Sequence, residues 1–388
     1  PPSLPRVTEP GLSTRAVHGG AGRPPDWAPV VPPLVQSATF AFPVGSEEEV
    51  LYTRYGNNPT VVAVGAKYAA LEGAEAGIAV ASGMGATALA HLAVLRPGDH
   101  LLASRWLYGG TERLFQDEFG RLGIEVTYVD PEQVRLWRKL ARPSTRAIFV
   151  ETPNNPLTRV LDLGPIAQVA KEQGIALLVD ATFASPVNFR PMEHGADVVI
   201  TSATKYLNGH SDVCAGCVAG DRTLVEEVTR LMRLWGQALD PHAAWLLDRG
   251  MRTLDVRMAR HNTNGMAVAQ WAATQPAFAK VHYPGLPSHP DHAVAERTLD
   301  GFGGMVGLEL RGGIAAAERF LGRLRLVTHG PSLGGVESLV SEPRNTSHKG
   351  IGPEGRAAIG IPDGFLRLSC GIEDARDIIA DLEQAAGG

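Results

Sequence analysis

Four polar clusters follow apolar runs in this chain, and each contains groups able to do chemistry. Ser82-Gly83-Met84-Gly85-Ala86-Thr87 comes after the run Ile78 to Ala81 and opens a helical stretch. Glycines and unbonded amides at a helix start suit a phosphate, although a tight turn that needs glycine would look the same, and neither a dinucleotide fingerprint nor a triphosphate-loop lysine accompanies it. Asp180 ends the run Ile175 to Val179. A carboxylate emerging from a buried strand must find a cation or a donor, whether in a ligand, a helix cap or an ion pair. Thr201-Ser202-Ala203-Thr204-Lys205 follows Val198 to Ile200. A lysine in low-dielectric surroundings has a lowered pKa and can form a Schiff base with an aldehyde, and the flanking hydroxyls suit phosphate. Last, Glu151-Thr152-Pro153-Asn154-Asn155-Pro156 follows Ala147 to Val150 as a rigid polar turn whose Asn side chains can reach a ligand.

The elements carrying these clusters alternate. From Val61 to about Ala219, short apolar runs at Ile78 to Ala81, His100 to Ala103, Ile124 to Val129, Ala147 to Val150, Ile175 to Val179 and Val198 to Ile200 are separated by helical stretches. Leu163 to Gln173, for example, places Ile166, Val169 and Ala170 on one face and stops at Gly174. Such alternation predicts an α/β domain with a mainly parallel sheet, whose ligands bind beyond the carboxyl ends of the strands. All four clusters fall at such ends. An anion cradle, a carboxylate, an amine and an amide along one sheet edge are the parts that pyridoxal phosphate requires.

Three regions follow from the pattern: a proline-rich extended arm over residues 1–60 that lies on a neighbouring subunit, a large cofactor-binding domain over 61–245, and a smaller C-terminal α+β domain over 246–388. The last begins in a long helical connector, Trp245 to Ala273, with strands near Val306 to Leu310, Leu324 to Val327 and Leu366 to Ser369. Lys plus Arg number 36 and Asp plus Glu 41, a net charge of −5 without charge runs, which speaks against nucleic-acid binding. No apolar run approaches membrane length and no signal-peptide pattern opens the chain, so the expectation is a soluble, cytoplasmic protein. The three cysteines, Cys214, Cys217 and Cys370, form no disulfide framework. Cys214-Ala215-Gly216-Cys217 reads as a buried strand rather than a metal or redox half-site, because a second ligand pair is missing. No metal is expected. Gly330-Pro331-Ser332-Leu333-Gly334 and Ser202-x-x-Lys205 match hydrolase patterns by spacing; the first lacks a following strand-turn-helix and the second lacks Lys-Thr-Gly, which leaves a serine hydrolase as a distant alternative.

Ser202-Ala203-Thr204-Lys205-Tyr206 with Asn208-Gly209-His210, Tyr108-Gly109-Gly110-Thr111, and Arg367-Leu368-Ser369-Cys370-Gly371-Ile372-Glu373-Asp374 together resemble the Cys/Met-metabolism family of pyridoxal phosphate enzymes. The family includes cystathionine γ-lyases and γ-synthases, methionine γ-lyases and homoserine-ester sulfhydrylases. The resemblance implies an aspartate-aminotransferase-like (type I) fold. It makes Lys205 the Schiff-base residue, puts Ser202, Thr204, Gly83 and Met84 on the cofactor phosphate, and sets Asp180 on the pyridine nitrogen. Tyr108 would stack on the ring and assist proton transfer, while Tyr52 and Arg54 would reach the phosphate of a neighbouring subunit in a homotetramer built from dimers. Arg367 would clamp the substrate α-carboxylate with Asn155 and Ser332 as helpers, and Arg113 would meet a distal carboxylate.

Three departures bear on specificity. Tyr52 to Thr60 is one residue longer than the family spacing, Gly110 stands where methionine γ-lyases carry cysteine, and Pro331 stands where many cystathionine-handling members carry glutamate. The expected activity is γ-elimination from a small sulfur amino acid, of the cystathionine γ-lyase type. Replacement at the same carbon, as in cystathionine γ-synthase or a sulfhydrylase, is the alternative, followed by methionine γ-lyase.

Overall fold

A computed structural model describes residues 10–21 and 26–387. The remainder of the proline-rich arm lies outside the described residues. Seven strands form the larger sheet: β1 (Ala76–Val80), β2 (His100–Ser104), β3 (Glu125–Val129), β4 (Thr145–Glu151), β5 (Ala176–Asp180), β6 (Val198–Thr201) and β7 (Gly216–Gly220), in the order β1-β7-β6-β5-β4-β2-β3. Pairings from β6 through β5, β4 and β2 to β3 are parallel, whereas β7 runs antiparallel to both β6 and β1. Two reversals leave β1 parallel to β6. The carboxyl ends of β1, β2, β4, β5 and β6 therefore open on one edge, and helices cover both faces of strands such as Leu177 to Val179 that are fully buried.

Local chemistry explains the helix limits. Leu163–Gln173 is capped by the Asp162 side chain, which accepts from Gly164 N, and ends at Gly174 in the left-handed region at φ 63°. Pro59–Glu72 starts with proline in its first turn behind Asn58, whose side chain accepts from Thr60 N. The arm is not extended throughout, because Leu12–His18 forms a helix closed by hydrogen bonds from Arg15 N to Gly11 O and Gly19 N to Arg15 O. Apolar Leu12 and buried Ala16 give that helix a face to pack into the core formed by Val61, Val64 and Tyr68.

A second sheet, β8 (Phe278–His282), β9 (Met305–Leu310), β10 (Thr328–His329), β11 (Leu339–Ser341) and β12 (Phe365–Ser369), has the order β10-β11-β12-β9-β8. The expected connector Trp245 to Ala273 is two helices, Pro241–Met251 and Leu254–Ala273, broken at Arg252 and Thr253. Helices therefore run across both expected boundaries, at 60/61 and 245/246. The strand expected near Leu324 to Val327 is displaced to Thr328–His329, since the Asp381 carboxylate takes the N–H groups of Arg325, Leu326 and Val327 at 2.8, 2.9 and 2.9 Å. Pairing starts only at Thr328. Cys217 lies buried in β7, but Cys214 is exposed ahead of it. No helix among the described residues is long and apolar enough to cross a membrane.

Candidate active site

Beyond β6, Lys205 is held by its backbone N–H on Ser202 O at 3.1 Å and extends Nζ to Ser332 Oγ at 2.8 Å. Burial pushes the amine down to about 8, with the nearby Arg367 charge acting in the same direction. Ser332 sits at φ 85°, a left-handed conformation costly for a non-glycine residue. That backbone lets one residue serve two neighbours. Its hydroxyl accepts from Lys205, and its carbonyl accepts from Arg367 Nη2 at 2.9 Å.

Arg367 comes from β12, paired on both sides by β9 and β11, so its backbone is fixed. Nη1 donates to Asn155 Oδ1 at 3.0 Å. Arg367 is 5% exposed, and Nε has no acceptor among the described residues. A buried cation with a free donor suits a carboxylate ligand.

Along the same edge, Ser82 caps the helix Gly83–Val94 by accepting from Gly85 N at 3.0 Å. The preceding amides, Gly83 and Met84, come before any intrahelical acceptor. A Cβ on Gly83 would lie 2.7 Å from Ser202 Oγ, so the helix start is pressed against the Ser202 loop and only glycine leaves room for the cradle. Thr204 Oγ is engaged with the Ala215 backbone, accepting from its N–H at 3.0 Å and donating to its carbonyl at 3.2 Å. Thr182 was not anticipated from sequence. Its hydroxyl accepts from Ser202 N at 2.9 Å, and its own N–H donates to Asp180 Oδ1 at 2.9 Å.

Asp180 closes β5 opposite Glu151 of β4, its register partner. Burial raises the pKa of both carboxyls, and for Glu151 the Asp180 charge is the next cause. The Arg367 charge offsets Glu151 in part, whereas Asp180 has no ion-pair partner among the described residues, and a cationic ring nitrogen would supply one. Tyr108, after β2, donates its N–H to Glu151 Oε2 at 2.6 Å and is itself 40% exposed. A Cβ on Gly110 would come within 2.5 Å of the Tyr108 ring and 3.2 Å of Met84 Sδ, so a cysteine here would have to displace the ring. The cradle, the free donor of Arg367, the Asp180 carboxylate without an ion-pair partner among the described residues and the depressed lysine fit pyridoxal phosphate carrying an amino acid.

Three sequence-selected residues lie away from this network. Arg54 donates to Arg233 O at 2.7 Å, and its guanidinium lies 5.6 Å from the Tyr52 ring centroid and 5.0 Å from that of Tyr55. Asn57 shapes this turn by accepting from Tyr52 N at 2.9 Å and donating to Val50 O at 2.9 Å. Arg113 is exposed and 3.6 Å from Asp117.

Comparison with known proteins gives the family. Residues 13–386 match the family described as Cys/Met metabolism PLP-dependent enzyme. An L-methionine gamma-lyase of Pseudomonas putida is 41% identical over 387 residues, covering 97% of each chain. A cystathionine gamma-lyase of Bacillus subtilis is 41% identical over 374 residues, covering 96% of this chain and 98% of that one. The solved cystathionine gamma synthase from Xanthomonas oryzae pv. oryzae, in complex with aminoacrylate and cysteine, aligns at a TM-score of 0.93 with 40% identity over 98% of each chain. Fold, cofactor and family thus converge: the chain belongs to the Cys/Met-metabolism family of pyridoxal phosphate-dependent enzymes, the lyases and synthases of sulfur amino acids.

Proposed function

We propose that this enzyme eliminates the γ-substituent of a sulfur amino acid in the manner of a cystathionine γ-lyase, releasing 2-oxobutanoate, ammonia and a thiol such as cysteine. The observation that carries the reading is the 2.8 Å contact between Lys205 Nζ and Ser332 Oγ, on the residue whose carbonyl holds Arg367. A substrate whose α-carboxylate was gripped by Arg367 and Asn155 would bring Cα and Cβ to the side of the site that holds this amine. Elimination at the γ-carbon requires a proton to leave each of those carbons, whereas β-elimination requires only the first.

Gly83, Met84 and Ser202 would hold the cofactor phosphate, joined by Thr204 once its hydroxyl proton turns away from Ala215 O, while Asp180 would hold the ring nitrogen and Tyr108 the ring face. When bound, the cofactor supplies an aldehyde for Lys205 and a ring that draws electrons from the substrate. Lys205, with its pKa lowered to about 8, is neutral in a useful fraction near neutral pH and can take the Cα proton. The Ser332 hydroxyl keeps the amine aimed while it moves between Cα and Cβ.

A product assay tests the reaction. Purified enzyme given cystathionine, methionine, or O-succinylhomoserine with cysteine is expected to release 2-oxobutanoate from cystathionine fastest. Net synthesis of cystathionine from the last pair would favour replacement, and turnover confined to cysteine or other β-substituted substrates would overturn the γ-carbon reading. Arg113→Ala is expected to lower kcat/KM for the substrates with a second acid group by tenfold or more and for methionine by less than twofold. A uniform loss would remove Arg113 from distal-carboxylate recognition.

The cation–π contact that holds Arg54 against Tyr52 on the arm supports the further proposal that the two serve the cofactor phosphate of a second copy in a homotetramer. Inactive Lys205→Ala and inactive Arg54→Ala proteins, co-assembled, should regain activity, because one of the mixed sites carries both intact residues. No recovery in verified mixed oligomers would mean that each site is built within one chain.

A further inference from the structure

Glu151 is 5% exposed, and both its oxygens are committed to backbone of the site. Oε2 accepts from Tyr108 N at 2.6 Å and Oε1 from Asn155 N at 2.9 Å. These donors lie in two different loops, one after β2 and one after β4. Asn155 Oδ1 then accepts from Arg367 Nη1, Arg367 Nη2 donates to Ser332 O, and Ser332 Oγ accepts from Lys205. One carboxylate stands where the loop presenting Tyr108 meets the network presenting Arg367.

We propose that Glu151 is a positioning residue that fixes Tyr108 and Asn155 together, so that the cofactor face and the substrate-carboxylate clamp keep one separation. The inference rests on the roles given above to Tyr108 and Asn155. Its physical argument is cost. A carboxylate buried beside Asp180 is an expensive way to finish a strand, yet an ionised carboxylate is the side chain that can accept two strong hydrogen bonds from opposite sides. Gln at this position keeps the shape but offers one oxygen and one NH2, so one of the two backbone N–H groups loses its acceptor.

The test compares the cofactor-loaded wild type with Glu151→Gln, using visible circular dichroism in the cofactor absorption band and steady-state kinetics on a γ-substituted amino acid that the wild type turns over. Glu151→Gln is expected to lose half or more of the band intensity, lower kcat tenfold or more and raise KM fivefold or more, at wild-type cofactor content. A purely structural role would lower the melting temperature without changing the band or KM. Arg367→Leu runs in parallel. If it leaves KM unchanged, the site reading and this proposal fall together; if it raises KM while Glu151→Gln keeps band, kcat and KM within twofold, the positioning role alone is overturned. Should Glu151→Gln not fold or load, hydrogen exchange of the wild-type holoenzyme decides. Peptides containing the Tyr108 and Asn155 amides should exchange slowly, and fast exchange at both overturns the proposal.

Discussion

Lys205→Ala and Lys205→Met are each expected to lower turnover by about a thousandfold or more, the scale of removing a group that is both nucleophile and proton carrier. Borohydride treatment of the wild type should fix the cofactor on Lys205, as peptide mapping would read. The lysine's environment adds a pH dependence whose sign can be derived. Burial moves its pKa from the usual 10.5 to about 8. Between those values the unfolded chain binds more protons than the folded one, so the cofactor-free protein gains stability as pH rises from about 8 to about 10.5, and bears the full cost of the buried charge below about 8. Methionine keeps most of the side chain's bulk without the charge. Cofactor-free Lys205→Met should therefore melt no lower than cofactor-free wild type at pH 7, although it is inactive. Cofactor uptake by the wild type should accelerate with a midpoint near pH 8, because only the neutral amine can bond to an aldehyde. A reduced adduct on another lysine, or near-normal turnover in Lys205→Ala, would end the assignment.

Much of this architecture was legible from residue pattern because it is local. Ile175 to Val179 reads as a buried strand and is one but for a shift of one residue, and Gly174 stops the helix before it where the left-handed conformation is required. The errors come from distant partners. β7 is antiparallel and begins and ends in glycine, so nothing in Gly216–Gly220 announces that it pairs with both β1 and β6. Leu324 to Val327 is apolar enough for a strand, but Asp381, more than fifty residues on, takes the amides that a neighbouring strand would need. Leu12–His18 is helical through packing against a core contributed mainly by later residues.

The site divides in the same way. Lys205, Asp180 and the Gly83 cradle carry their signal in their position at strand ends. Glu151 carries the same signal as Asp180, a carboxylate directly after a buried run, but its partners are backbone amides, which no residue type reveals. Thr182 is invisible for the same reason. The φ of Ser332 also cannot be read from a serine, although that backbone turns its hydroxyl and carbonyl toward two different functional residues.

Asp180→Asn should separate catalysis from folding more sharply than any other substitution. Asn keeps an oxygen able to accept from Thr182 N, as Asp180 Oδ1 does at 2.9 Å, so the turn after β5 persists. It lacks the charge proposed to keep the cofactor ring protonated. Breaking such a charge pair costs about 3–5 kcal/mol, which corresponds to about 10²- to 10⁴-fold in rate if it is felt in the transition state. The cofactor-free protein should respond in the opposite direction. Burial raises the Asp180 pKa above its usual 3.8, so the folded state binds more protons than the unfolded state above that value, and ionising the group as pH rises costs stability. Neighbouring Glu151, raised by burial and by the Asp180 charge, adds to the cost. Removing one of the two carboxylates relieves it. Cofactor-free Asp180→Asn should thus melt at or above cofactor-free wild type at pH 8, with the difference shrinking as pH falls and the wild-type carboxyls take up protons. Cofactor should raise its melting temperature less than it raises that of the wild type. If the folded, loaded variant keeps full activity, the ring-nitrogen role is lost; if the cofactor-free variant melts several degrees lower at pH 8, Asp180 is a charge stabilised by the protein itself rather than one waiting for a ligand.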